Sequence, residues 1–390
     1  VTGSERIVTQ RSARRRVAHP AQWLRANRDW QPWPDGSTMM HCSILLEPAM
    51  PSLRARLINR LLRVTTKSVW RPDLNIDEVR VHTAKMDARL GRRAAPIAME
   101  SVAIGGVPAT WYGEPALSQR GTLLYLHGGA WCLHLPSIYR RFATQLCQQT
   151  HMRVLLPEYR LAPEHPFPAG IDDCFAVYRW LIDQGYPERP FALAGDSAGG
   201  SLALVTMMRA RDALLPMPDC AALLSPSTDL TMSAPSAKYN AKADPMFSPA
   251  AQDLLPEVYC PGQDRQNPLL SPLFGNWNGL PPLLFHAGST EMLLDDSVRA
   301  HDRARQAGVE AEIEVWLDMP HVFHVFSWVP EAKAGVRAVA DFIRDRSMRR
   351  RANETRNLIE SAVGIGEHAG IGLEDVPAAG KFAEFGTHAS

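Results

Sequence analysis

The chain has 390 residues, 45% of them apolar and 21% charged, the balance of a globular protein rather than a disordered or fibrous one. Its formal net charge of +1 removes the global electrostatic case for nucleic acid, and no apolar run reaches the length of a membrane span. The six cysteines (Cys42, Cys132, Cys147, Cys174, Cys220 and Cys260) form no C-x-x-C pair, so buried free thiols in a reducing cytoplasm are expected, not a disulfide framework or a zinc site.

The segment from Arg11 to Arg16 is basic, but no apolar stretch follows it, so it does not read as a secretory signal. Residues 1–49 are expected to be a disordered extension or sequence translated ahead of the true start. A cleaner pattern opens at Met50. Leu53, Leu57, Ile58, Leu61 and Leu62 fall on one helical face, which suits a surface helix or a cap over a pocket. The stretches around 100–104 and 109–112 suit an antiparallel hairpin at a sheet edge.

From there, short apolar runs alternate with amphipathic ones. Strands are expected at 122–126, 153–156, 191–194, 221–224, 282–285 and 311–316. Helices are expected at 137–149, 169–183, from Gly200, at 295–306 and at 331–346. This order implies an α/β fold with a mostly parallel sheet covered on both faces by helices. Residues 225–279 break the alternation, with only a weak helical stretch near 250–258. An excursion of that length after a strand suits a second piece of a cap. After Arg351 the chain becomes rich in Gly and Ala, and residues 349–390 read as a poorly packed tail.

The chemistry gathers around Gly195-Asp196-Ser197-Ala198-Gly199, between a strand and a helix. A sharp turn there needs small residues on both sides and lifts the serine hydroxyl above the sheet. Serine is a weak nucleophile until a base takes its proton and an acid orients that base. His321 lies in the loop between the last strand and the last helix, with His324 as its close competitor. His286, His301, His368 and His388 fall in a strand, a helix or the tail. Glu291, Asp295 and Asp296 compete for the acid position after the strand ending at Phe285; Asp295 and Asp296 also suit helix N-caps. Gly128 and Gly129 follow the strand ending at Leu126, where glycines let backbone N–H groups approach a substrate oxygen.

These features together resemble the hormone-sensitive-lipase-like, or bacterial family IV, esterases of the α/β-hydrolase superfamily. The resemblance rests on His127-Gly128-Gly129-Ala130-Trp131, on Tyr159-Arg160-Leu161-Ala162-Pro163-Glu164 with Phe167-Pro168-Ala169, on Gly195 to Gly200, and on the Glu291 and His321 loops. It spans roughly Met50 to Arg346. It implies a domain over 50–348 whose helical cap comes from about 50–90 and 226–279. It also implies a nucleophile at Ser197, a base at His321, an acid at Glu291, and oxyanion donors at Gly128, Gly129 and Ala198. The family's acid is more often Asp, and its histidine loop more often reads H-G-F than the His321-Val322-Phe323 found here. Arg160, Glu164 and Asp196 are expected to be scaffold. The implied activity is serine carboxylester hydrolysis of short- to medium-chain esters, with no cofactor or metal. The expected partner is a small-molecule ester, with no nucleic acid and no membrane span, and a homodimer is left open. An amidase or deacetylase on the same residues, and a ligand-binding homologue without catalysis, are the alternatives.

Overall fold

The computed structural model describes residues 45–47, 50–71, 75–90 and 96–368. Its centre is a nine-stranded sheet in the order β1-β9-β8-β7-β6-β4-β5-β3-β2. The strands are β1 (Leu45–Glu47), β2 (Met99–Ile104), β3 (Val107–Tyr112), β4 (Thr122–Leu126), β5 (Arg153–Pro157), β6 (Phe191–Asp196), β7 (Cys220–Leu224), β8 (Leu283–Gly288) and β9 (Ala311–Trp316). β2 and β3 form an antiparallel hairpin at one edge, and β3 also runs antiparallel to β5. Every other neighbouring pair is parallel.

Strands β4 to β8 are buried along their whole length, which explains their unbroken apolar runs. Successive side chains point to opposite faces and feed two cores. Leu124, Leu126, Leu193, Leu223 and Phe285 meet α4 (Ala169–Asp183), α5 (Ala198–Asp212) and α8 (Leu294–Gln306) on one face. Leu123, Tyr125, Ala192, Leu224 and Leu284 meet α3 (Pro136–Thr150) and α9 (Pro330–His368) on the other. The parallel strands end on one side of the sheet, so the loops after β4, β6, β7, β8 and β9 converge there.

Two helices precede the sheet, α1 (Leu53–Thr65) and α2 (Ile76–Leu90). The Ser52 hydroxyl caps α1 by accepting from Ala55 N–H at 3.1 Å, and it donates to Glu331 of α9 at 2.9 Å. Ala55, Ile58 and Leu62 pack on Trp316, Met319, Phe323 and Phe326, beside the His321 loop. Leu53, Leu57 and Leu61 face outward instead. The apolar face read from the sequence is therefore two faces, one buried and one exposed. The excursion after β7 carries α6 (Ser236–Tyr239) and α7 (Pro249–Tyr259).

Two boundaries differ from the sequence reading. β1 pairs with β9 within the stretch expected to lack structure; the expectation for residues 1–44 lies outside the described residues. The last helix does not stop near Arg346. Residues 347–363 hold no glycine or proline, and the helix runs to His368. Its Arg350 guanidinium pairs with Asp219 at 2.8 Å, so the start of the supposed tail is packed.

Candidate active site

Ser197 sits at the junction of β6 and α5 with φ 52° and ψ −121°, a strained conformation for a residue with a side chain. Its neighbours must be small. A Cβ on Gly199 would run into the Leu126 and His127 carbonyls, and one on Gly200 would lie 2.9 Å from Pro226. The strained turn turns the hydroxyl toward His321, whose Nε2 lies 2.9 Å from Ser197 Oγ. His321 Nδ1 lies 2.8 Å from Glu291 Oε2. All three residues are buried.

Glu291 is fully enclosed after β8 and is well supplied with donors. Its Oε1 accepts from the Ser225 hydroxyl at 2.8 Å and from Gly288 N–H. The same Ser225 oxygen accepts from Val322 N–H at 3.2 Å, tying the acid and histidine loops together. With one oxygen held by these groups, the other faces the imidazole. That bond assigns the proton to His321 Nδ1 and leaves Nε2 free to accept from Ser197. Burial opposes charge on His321, but the hydrogen bond and charge of Glu291, with Asp244 and Asp196 further off, outweigh it and raise its pKa above that of an ordinary imidazole.

The other carboxylates compared for this position do different work. Asp295 and Asp296 are not N-caps; Leu293 precedes α8, and both aspartates lie buried in its first turn. Asp295 accepts from Ser236 N–H at 2.8 Å and Tyr239 OH at 2.9 Å. Asp296 accepts from Thr228 and Asp229 N–H at 2.7 and 3.0 Å. Burial, then the Asp229 charge, pushes Asp296 up to about 8. Both therefore anchor the excursion after β7. His324 is buried with Nε2 3.0 Å from His286 Nδ1, and burial and His286 hold it well below an ordinary imidazole. His301 lies in α8; His368 ends α9, and His388 lies outside the described residues.

The loop after β4 requires a correction. Gly128 does not offer its N–H to the serine, because that group donates to Asp196 Oδ1 at 2.9 Å. Asp196 is a fully buried hub that also accepts from Tyr125 OH at 2.6 Å and Tyr139 OH at 2.8 Å. Burial raises its pKa, and those three hydrogen bonds oppose the rise. Tyr159 OH holds the same loop through the His127 carbonyl at 2.7 Å. Beyond Gly128 the backbone turns left-handed, with φ 118° at Gly129, 52° at Ala130 and 57° at Trp131. Gly129 and Ala130 line the cavity beside Ser197 and His321. Ala198, the first residue of α5, has an N–H that no turn of the helix can use. With the Gly128 N–H taken by Asp196, the candidate oxyanion donors beside Ser197 are the N–H groups of Gly129, Ala130 and Ala198.

Gly128 is still indispensable to packing. A Cβ there would strike the Asp196 carboxylate and come within 2.9 Å of Tyr139 OH. Gly128→Ala is expected to cost about 1–3 kcal/mol of stability, read by thermal or denaturant unfolding. Unchanged stability would mean that the loop relaxes around the methyl group.

Two connected hollows meet at Ser197 and Ala130, with Phe247 bordering both. The larger, about 800 Å³ including its open mouth, runs under Leu62, Thr66, Trp70, Thr83 and Met86 and is bounded by His321. The smaller, about 470 Å³, is lined by Trp131, Leu230, Met232, Leu255 and Met292. Arg80 of α2 fastens the roof of the larger one, donating to Cys132 O at 2.9 Å and pairing with Glu164. Glu164 therefore clamps this helix, not the serine loop, and Arg80 holds its carboxyl down at about 2. Arg160 pairs with Asp173 at 2.7 Å. No metal-binding cluster of His, Cys, Asp or Glu occurs among the described residues.

Sequence reasoning missed Ser225, Ala130, Asn240 and Asp244. Asn240 holds the Glu291 carbonyl at 2.8 Å, and Asp244 holds Met292 N–H at 2.8 Å. Ser225 could have been noticed as the polar residue directly following β7. Ala130 stood inside the His127–Trp131 motif without being read as a donor, and Asn240 and Asp244 gave no such sign.

A buried Ser–His–carboxylate relay at the strand ends of a doubly covered parallel sheet defines a hydrolase of the α/β type. A family model described by the alpha/beta hydrolase fold matches residues 123–325, just over half of the chain. An acetyl-hydrolase of Streptomyces hygroscopicus is 37% identical over 247 residues, 62% of this chain and 81% of that protein. An esterase of Acinetobacter venetianus is 38% identical over 226 residues, 56% of this chain and 73% of that one. Among solved structures, an esterase/lipase from an uncultured bacterium superposes with a TM-score of 0.71 at 37% identity, covering 76% of this chain and 99% of its own. An esterase from the bacterial hormone-sensitive lipase family does so with 0.71 at 35% identity, covering 77% and 100%. The chain belongs to the α/β-hydrolase-fold family, in its hormone-sensitive-lipase-like branch.

Proposed function

We propose that this carboxylic ester hydrolase cleaves short- to medium-chain esters through an acyl-enzyme on Ser197. The observation that carries the reading is the continuous relay from Ser197 Oγ through His321 to Glu291, opening on an apolar cavity. His321 Nε2 takes the hydroxyl proton as Oγ attacks the ester carbonyl. The N–H groups of Gly129, Ala130 and Ala198 receive the oxyanion. The resulting imidazolium, stabilised by Glu291, protonates the departing alcohol. Water then attacks the acyl-enzyme, with His321 again taking the proton. A ligand-binding homologue without catalysis has no need of this relay. Burial pushes the Cys132 thiol up to about 12, so this free, buried thiol near the pocket is a poor rival to Ser197 as nucleophile.

The leaving alcohol must end beside His321, which borders the larger hollow but not the smaller one. The alkoxy group therefore goes under α1 and α2, and the acyl chain goes toward Leu255. A solved relative, 36% identical, was soaked with p-nitrophenyl butyrate, a short acyl ester. A p-nitrophenyl ester series from acetate to decanoate tests the assignment. Leu255→Trp is expected to lower kcat/KM for octanoate about tenfold or more relative to acetate, since each misfit methylene costs about 1–3 kcal/mol. Unchanged discrimination between octanoate and acetate in Leu255→Trp would reverse the two hollows.

A further inference from the structure

Among the described residues, an exposed apolar stripe lies on the outside of α1. Leu53, Leu57, Leu61 and Val64 are 80%, 59%, 47% and 68% exposed. At about 100° per residue they form a stripe about 80° wide along the helix. Met50, 77% exposed, stands just ahead of it. Arg56, Arg60 and Arg63 flank one edge of the stripe and Arg54 the other. The helix contains no acidic residue. None of these four arginines makes an ion pair among the described residues; Arg54 and Arg63 reach only backbone carbonyls, of Trp328 and Ala243.

A contiguous exposed stripe of large apolar side chains marks a docking surface, and its charged border selects the occupant. A second copy of the chain would bring two sets of arginines together with no carboxylate on either helix to pair them. An anionic lipid surface matches both halves of the pattern, taking leucines at the acyl boundary and arginines at the head groups. We propose that the outer face of α1 docks the enzyme peripherally on anionic phospholipid. The inner face of the same helix lines the larger hollow through Leu62, so docking would bring that hollow close to the membrane. The inference does not depend on the hydrolytic scheme, because it concerns side chains outside the relay.

The test is sedimentation of the full-length protein with vesicles of phosphatidylcholine alone, and of phosphatidylcholine mixed with phosphatidylglycerol. The wild type is expected to bind only the anionic vesicles, and less as salt rises. The double variant Leu57→Glu/Leu61→Glu should lose binding at least tenfold. Arg56→Gln/Arg60→Gln should weaken it about fivefold per charge. Both should hydrolyse p-nitrophenyl butyrate in solution at the wild-type rate, which also reports that they fold. Three results overturn the proposal: no binding of the wild type to anionic vesicles, binding that both variants retain, or a wild-type dimer in sedimentation velocity that Leu57→Glu/Leu61→Glu converts to monomer.

Discussion

Ser197→Ala is expected to lower p-nitrophenyl ester hydrolysis about 10⁴–10⁶-fold while leaving the melting temperature unchanged or slightly higher. The two halves of this expectation have separate causes. The lost atom is the one that would attack, and among the described residues no other hydroxyl is bonded to His321 Nε2. The binding hollows and oxyanion donors remain, so the residual rate is theirs alone. Stability is preserved because alanine keeps the Cβ already accommodated at φ 52°, and because among the described residues the deleted oxygen makes only the bond to His321. Residues placed for chemistry are commonly not those best for stability. Initial rates and an unfolding curve on the same preparation check both halves. Wild-type enzyme should release a burst of one p-nitrophenol per site, and the variant none. Activity surviving in a folded Ser197→Ala protein would end the acyl-enzyme scheme.

The sheet was legible because β4 to β8 are buried on both faces, so their apolar runs carry no competing alternation. The chain order of serine, carboxylate and histidine was legible for a related reason: each follows a recognisable strand, and strand ends converge on one side. The oxyanion loop was legible only as a motif. Which N–H groups are available depends on Asp196, a residue 68 positions away from Gly128, and on the left-handed turn at Ala130. Neither follows from a pair of glycines. The face of α1 was misjudged because periodicity shows that apolar residues align but not which way they point. Leu62 went to the cavity and Leu61 to solvent. At Asp295 and Asp296 the sequence left several roles open, since the excursion they anchor is ordered only by contacts across the fold.

Glu291→Gln is expected to cost about 10³–10⁴-fold in kcat and to move the acid limb of the pH profile downward. With Oε1 still accepting from Ser225 and Gly288, glutamine would turn its NH₂ toward His321 Nδ1. That favours the tautomer protonated at Nε2, which cannot take the Ser197 proton. The pH argument has a definite sign. Only neutral His321 acts as the base, so kcat/KM falls as pH drops through its pKa. In the wild type that pKa is raised, and the acid limb should lie above the ordinary imidazole value of about 6.5. Removing the Glu291 charge leaves burial to act against the imidazolium, with only Asp244 and Asp196 opposing it, so the limb should shift to lower pH even as the maximum rate collapses. Asp295→Ala makes the informative contrast. It strips an acceptor from Ser236 N–H and Tyr239 OH, so about 1–3 kcal/mol of stability should go, with the limb unmoved. A limb that moves for Asp295→Ala and stays for Glu291→Gln would reassign the acid. The two variants therefore separate a carboxylate that tunes the base from one that holds the loop above it.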